Sequence, residues 1–395
     1  MAGLNHSAAF VGMAELAPTK APPPESEIEL MAELTRMALD DAGMEKSDID
    51  GIIAVPPAET PMLFPSLLAE YLRIRPSYAD VVDLGGATCA GMVWRAAAAI
   101  AAGQCTTVLC TMASVLDPAR FMRSFRSGGK SMSSLLGIGE FDAPYGPMTV
   151  NSSYALAARR HMHEFGTTPE QLAKIAVDQR TNACANPMAL YGDHPITVDD
   201  VLSSRLIVDP LHLLEIVRPC SGGAAWIITS ADRARSYAKE PVWLLGAGEQ
   251  VSHSSIVHTP NLTTTAVAES APKAFAMAGV QPSDIDLVSV YDCYTIMVLL
   301  TLEDAGFCAK GEGGPFVEKN DLTFMGDLPV NTHGGQLSFG QPGIAGGASH
   351  ITEAIRQLRG EGGGRQVSNC ELAFVNGNGG TMGEEVSLVL GSAAR

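Results

Sequence analysis

Two hydrophobic periods run through this chain, and their order is repeated. Leu30, Leu34, Met37 and Ala38 recur at helical spacing, which makes one face of a helix apolar. Prolines 22–24 precede that helix, and Ser26 with Glu29 has the spacing of a capping box. Gly43 suits the left-handed position after the last turn. Ser47-Asp48-Ile49-Asp50 predicts a turn, and the apolar run 51–55 a short buried strand.

The same unit returns later. A helix over 271–278, then Ala278-Gly279, the turn Ser283-Asp284-Ile285-Asp286 and a strand over 287–290 follow in the same order. Positions 43 and 279 are 236 residues apart, and so are 47 and 283. A constant offset points to a duplicated architecture rather than to two chance turns. The first copy continues with a strand at 81–84, a glycine turn at 85–88, an Ala-rich helix at 89–102 and a strand at 107–111. The second continues with a glycine turn at 331–343, a helix at 345–358 and a strand at 372–375. Small residues on both of these helices (Ala96, Ala99; Gly346, Gly347, Ala348) suit close packing between layers.

The chain thus reads as two halves, 1–245 and 246–395, with an insertion at about 114–218 inside the first. The insertion carries a Gly/Ser/Met-rich loop at 127–139, a helix at 153–165 and a second from 169 to about 181. A long inserted segment of this kind shapes a binding site or covers a dimer face.

Composition narrows the partners. The chain has 395 residues, 46% of them hydrophobic and 17% charged, so it can bury a large core. A net charge of −17 argues against nucleic acid and against an anionic membrane surface. The N-terminus lacks a basic stretch before an apolar run, and the apolar stretch at 96–102 is too short to span a bilayer. The eight cysteines form no CxxC pair, which argues against structural zinc and a disulfide framework and leads us to expect a cytoplasmic protein. His161 and His163 lie two apart on a helical segment and face different sides, so they do not make a shared metal site.

Asn331-Thr332-His333-Gly334-Gly335 and Gly340-Gln341-Pro342-Gly343 crowd glycine into one loop before a helix. Such a loop either turns the chain tightly or offers backbone N–H groups to an anion. Together with Gly85-Gly86-Ala87-Thr88, Tyr291-Asp292-Cys293-Tyr294-Thr295, the run 302–313 and the duplicated layers, it resembles the thiolase superfamily. The nearest branch is that of the lipid-transfer, sterol-carrier-type thiolases and the steroid side-chain aldolases related to them. The resemblance spans essentially the whole chain. It implies an α/β thiolase fold (a duplicated five-layered αβαβα sandwich with an inserted loop domain), a homodimer and acyl-CoA ligands, with no cofactor beyond the coenzyme A of the substrate. It also implies a small partner protein with an OB fold, sometimes with a zinc ribbon.

A thiolase of this family uses a Cys at the start of the first buried helix, a His in a Gly-His-Pro loop, a second Cys near the C-terminus and an Asn or His after the second repeat strand. The residues of this chain at those places are Gly86, Gln341, Gly377 and Tyr291. All four groups are replaced, and Cys89, one turn further into the helix, remains as an alternative nucleophile or as a small buried residue. The steroid side-chain aldolases of the family resemble this chain in having Tyr at the position of Tyr291, although they carry a second Tyr where Gln341 stands. The expected chemistry is therefore retro-aldol cleavage of a β-hydroxyacyl-CoA without a covalent Cys intermediate. Tyr291 transfers the proton if neighbours lower its pKa, and His333 is a second acid–base candidate. Gln341 and the loop glycines Gly334, Gly335, Gly379 and Gly380 are candidates to hold the enolate, with Gly86, Asp292 and Asn378 beside them. Acyl transfer through Cys89 and non-catalytic acyl-CoA or lipid binding are the alternatives.

Overall fold

The computed structural model describes residues 6–57, 62–116, 144 and 150–394. Its strands are β1 (Ala8–Glu15), β2 (Gly51–Ala54), β3 (Tyr78–Val81), β4 (Thr107–Ser114), β5 (Leu206–Val208), β6 (Leu211–His212), β7 (Gly222–Ser230), β8 (Val242–Val251), β9 (Leu287–Val290), β10 (Leu372–Gly379) and β11 (Glu384–Gly391). Nine of them form one sheet in the order β3-β2-β4-β7-β1-β8-β11-β10-β9, while β5 and β6 pair separately. Near the middle of this sheet β1 and β8 run antiparallel, with Ala9 opposite Trp243 and Phe10 opposite Val242.

Successive strand residues face opposite sides, and here both sides are apolar. Phe10, Val108, Cys110, Met112, Trp226 and Ile228 point into one core, and Val11, Leu109, Ala113 and Ile227 into another. Two-sided burial requires helices on both faces. Helix Glu27–Ala42 packs on β1, β4 and β7, and helix Val267–Ala278 on β8 and β11. Helices Thr88–Ala101 and Ala348–Leu358 touch strands of both halves and each other, which makes them the middle of five layers.

The 236-residue repeat is visible at the level of single hydrogen bonds. Gly43 and Gly279 both end their helices with positive φ, 65° and 69°. The Asp50 carboxylate accepts the backbone N–H groups of Thr106 and Thr107 at the start of β4. Asp286 accepts those of Glu371 and Leu372 at the start of β10. Each turn thus fixes where the next parallel strand begins. The Ser26 capping box is formed as well, with Glu29 N–H donating to Ser26 Oγ and Ser26 N–H to Glu29 Oε2.

Some boundaries differ from the sequence reading. The strand expected at 81–84 is β3, at Tyr78–Val81. Asp50 O accepts the N–H groups of Ser77 and Tyr78, which pins the register of this half-exposed edge strand. The apolar Val82 and Leu84 instead form the loop that packs under helix Thr88–Ala101. The helix expected at 345–358 starts as a 3₁₀ turn, Gly343–Gly347, before the α-helix Ala348–Leu358. The inserted helices run Val150–Phe165 and Pro169–Cys184. The Gly/Ser/Met-rich loop at 127–139 lies outside the described residues. No described helix is long and apolar enough to cross a membrane.

Candidate functional site

A cavity of about 640 Å³ opens where the two central loops, the end of β9, the β10–β11 turn and the inserted helix Val150–Phe165 converge. Tyr291, the residue after β9, forms part of its wall, and Tyr291 N–H donates to Asn376 O at 3.0 Å. Its ring lies against Gly86. A Cβ on Gly86 would stand 2.4 Å from Tyr291 Cζ and 2.3 Å from Asn378 O, so only glycine fits. The Gln341 amide donates to Gly343 O at 2.9 Å and reaches the Tyr291 hydroxyl at 3.5 Å.

The far wall is the β10–β11 turn. Gly380, Thr381 and Met382 have consecutive positive φ values of 52°, 51° and 70°. Two non-glycine residues in this region carry backbone strain. The turn is held by Gly383 N–H, which points to Gly379 O and Gly380 O, and by Met382 N–H to Asn378 Oδ1. Gly379 packs on Leu84 O so closely that a Cβ would stand 1.9 Å away. The turn and the Gly85–Gly86 loop are therefore pressed together, and both line the cavity.

The inserted helix closes the third side. Tyr154 and Tyr294 stack with ring centroids 4.3 Å apart. Asn378 Nδ2 donates to the Tyr154 hydroxyl at 2.7 Å and lies 3.5 Å from Cys293 Sγ. The Tyr294 hydroxyl bonds Asn151 Oδ1, so two polar contacts clamp the helix over the site. Asp83 and Glu384 also line the cavity, and burial followed by Asp83 raises the Glu384 carboxyl.

Burial sets the proton state of the wall. It pushes the Tyr291 phenol well above its usual range, with Cys293 adding to the effect and the Gln341 bond opposing it. The expectation of a Tyr291 made basic by its neighbours is therefore corrected: the phenol is held neutral and is an O–H donor. Tyr154 and Tyr294 are raised by burial too.

Of the residues singled out in the sequence, the cavity brings together Tyr291, Gln341, Gly86, Asn378, Gly379 and Gly380. The others lie outside its lining. Cys89 is buried with Sγ 3.1 Å from Met112 Sδ and 3.8 Å from Ile344 O, and burial pushes its thiol up. His333 is buried with Nε2 on Ser349 Oγ at 3.1 Å. Burial, then the nearby His350, depresses its pKa well below the usual value, so the ring is neutral. Asp292 is fully buried, and its carboxylate accepts Gln336 N–H at 2.8 Å and Leu337 N–H at 3.1 Å. The N–H groups at this helix start are thus taken by Asp292 rather than offered to an oxyanion. Gly334 and Gly335 answer to packing: a Cβ would meet Ala183 Cβ at 2.6 Å or Asp292 Oδ2 at 2.2 Å. His161 is buried between Thr167 and Glu303, whereas His163 is exposed.

The sequence reading missed Tyr154 and Asp83, and gave Tyr294 and Cys293 no place in the wall. Tyr294 carried a signal, since it falls one residue after Cys293 in the quoted motif. Tyr154 carried only its place on the inserted helix.

The chain is similar to several known proteins. Residues 248–392 match the family model described as thiolase C-terminal domain-like. An acetyl-CoA acetyltransferase of Methanothermobacter thermautotrophicus is 35% identical over 368 residues, 90% of this chain and 92% of the relative. A steroid side-chain-cleaving aldolase of Thermomonospora curvata is 33% identical over 342 residues, 85% and 86% of the two chains. The solved structure of the Ltp2-ChsH2(DUF35) aldolase is similar with a TM-score of 0.85 at 32% identity, covering 98% of each chain. Likeness to these relatives over most of their length and of this chain's shows that this chain belongs to the thiolase superfamily.

Proposed function

We propose that this protein cleaves the Cα–Cβ bond of a β-hydroxyacyl-CoA by a retro-aldol reaction and forms no acyl-cysteine. The observation that carries this reading is the contact of Tyr291 with Gly86. The phenol ring fills the space next to the helix start, where the family's nucleophile is expected. The resemblance to aldolases at 32% and 33% identity supports it.

In this reaction the hydroxyl O–H pair becomes the carbonyl π bond. The Cα–Cβ pair moves onto the thioester as an enolate, and one proton must travel from oxygen to Cα. A neutral phenol suits that transfer. Tyr291 oxygen accepts the hydroxyl proton while its own proton goes to Cα, which returns the residue to its starting state. The products are a ketone or aldehyde and a shortened acyl-CoA, with no water consumed. Gln341 orients the phenol and is the amide donor at hand for the enolate oxygen. The stacked Tyr154 and Tyr294 give the acyl group a flat aromatic wall. No cofactor is assigned beyond the coenzyme A of the substrate.

Acyl transfer is the second reading, favoured by the similarity to an acetyl-CoA acetyltransferase. It needs a thiolate, and burial raises both Cys89 and the cavity-lining Cys293. Retro-aldol cleavage is the better fit. A Tyr291→Phe protein decides between them: β-hydroxyacyl-CoA cleavage should fall by roughly 10²–10⁴-fold, and unchanged cleavage sinks the proposal.

The assembly follows the same reading. Leu63, Leu67, Tyr71 and Val81 are exposed on helix Phe64–Leu72, just before it, and on the edge strand β3. This apolar edge is the face we assign to a second copy of the chain, giving a homodimer. A small OB-fold partner (with or without a zinc ribbon) is the further component we expect, and the Ltp2-ChsH2(DUF35) similarity supports it. The cytoplasm is the proposed compartment.

A further inference from the structure

Away from the cavity, three cations gather on one ring. Lys20 Nζ lies 4.7 Å from the centroid of Tyr191, Arg218 Cζ 5.4 Å and Arg180 Cζ 5.7 Å. In a chain of net charge −17, none of the three forms an ion pair with a described carboxylate. Arg180 is 8% exposed. Its Nε donates to Ser338 Oγ at 2.9 Å and its Nη1 to His194 O at 3.0 Å. Its Nη2 has no acceptor among the described residues, so a nearly buried guanidinium keeps a free edge. Burial and Arg218 both oppose its charge. A buried cation without a counter-charge is costly, and an anion would relieve that cost.

The cluster is anchored to a wall of the cavity. Tyr191 N–H donates to Ser338 O, Leu190 N–H to Phe339 O, and Cys220 N–H to Gln341 O. Val217, next to Arg218, lines the cavity, as does Gln341. The cavity's own described charges are the carboxylates Asp83 and Glu384, which repel anions. The cluster offers the opposite field. Three cations 4.7–5.7 Å from one ring centroid, two of them planar guanidinium groups, match a phosphate group better than a single carboxylate.

We propose that Lys20, Arg180 and Arg218 around Tyr191 form a binding site for an organic phosphate. Its source is the nucleotide end of the acyl-CoA substrate, which rests on the functional reading above, or a free phosphate metabolite that acts on the cavity wall.

Calorimetric titration of the full chain with adenosine 3′,5′-bisphosphate, coenzyme A, pantetheine and inorganic phosphate tests this without turnover. Lys20→Gln and Arg218→Gln should each weaken adenosine 3′,5′-bisphosphate binding by roughly tenfold, with pantetheine binding unchanged. Coenzyme A binding that weakens in step identifies the substrate as the source. Bisphosphate and inorganic phosphate binding that weakens while coenzyme A binding does not identifies a free metabolite. The proposal is overturned if the double variant, with native circular dichroism, binds adenosine 3′,5′-bisphosphate as the parent does. It is overturned equally if the parent binds none of the phosphates, or binds only poly-glutamate, which would mark an acidic protein surface. Bisphosphate binding without any β-hydroxyacyl-CoA cleavage would leave this site standing and remove the retro-aldol reading alone.

Discussion

Gly86 and Tyr291 occupy one another's space: a Cβ on Gly86 would stand 2.4 Å from Tyr291 Cζ. A side chain at 86 and the phenol at 291 therefore exclude each other in this geometry. On the other side, the same Cβ would meet Asn378 O at 2.3 Å, a backbone atom that cannot rotate away. Gly86→Ala should destabilise the fold by about 1–3 kcal/mol, as overpacking does, and should displace Tyr291 from the cavity wall. Thermal unfolding and β-hydroxyacyl-CoA cleavage should both fall. A Gly86→Cys protein that unfolds like the parent and gains thiolysis would show that the pair is not exclusive.

Asp292 tests whether the glycine loop needs its acceptor. The carboxylate receives two buried N–H groups and lies 3.2 Å from His350 Nε2. Asp292→Ala leaves those donors unsatisfied, so the loss should be about 2–5 kcal/mol. Asp292→Asn keeps an acceptor and should lose less. Urea unfolding midpoints at unchanged slope would measure both. Equal midpoints for Asp292→Ala and the parent would refute the capping role.

How much of this was legible in the sequence depended on range. Local signals survived well. The capping box at Ser26 and the helix-ending Gly43 and Gly279 are set by neighbours within a few residues, whereas the carboxylates of Asp50 and Asp286 reach 56 and 85 positions along the chain to their partners. Their repetition pointed to a duplicated architecture, and the layer order came only with the family resemblance. Gly86 and Tyr291 could be brought together only through the family resemblance, since 205 positions separate them. The proton state of Tyr291 was not legible, because burial sets it and burial depends on the whole fold. Tyr154 was missed because its partners, Asn378 and Tyr294, lie far along the chain. His333 looked chemical because it flanks the loop glycines and Asp292 because it follows Tyr291, and the folded chain instead uses them in structural hydrogen bonds.

The exposed edge beside β3 makes a prediction about assembly. Leu67 is 41% exposed and Tyr71 49%. Leu67→Asp with Tyr71→Asp puts two charges on that face and should convert a dimer to a monomer in sedimentation velocity. Circular dichroism should stay native, because neither side chain is in the core. A parent that sediments as a monomer at micromolar concentration would rule out this interface.

His333 links pH to stability without linking it to catalysis. Its folded-state pKa is depressed, chiefly by burial and then by His350, whereas the unfolded residue titrates near about 6.5. Above that pH both states are neutral and the residue adds no pH dependence. Below it the unfolded chain binds a proton that the folded one refuses, so stability falls as pH drops. The slope from this one group is at most about 1.4 kcal/mol per pH unit. His333→Gln, whose amide can still reach Ser349, should flatten the fall in unfolding free energy between pH 6.5 and 5. The ring lies outside the cavity lining, so kcat and KM at neutral pH should stay at parental values. A large loss of kcat in a stably folded His333→Gln protein would return this residue to the catalytic machinery.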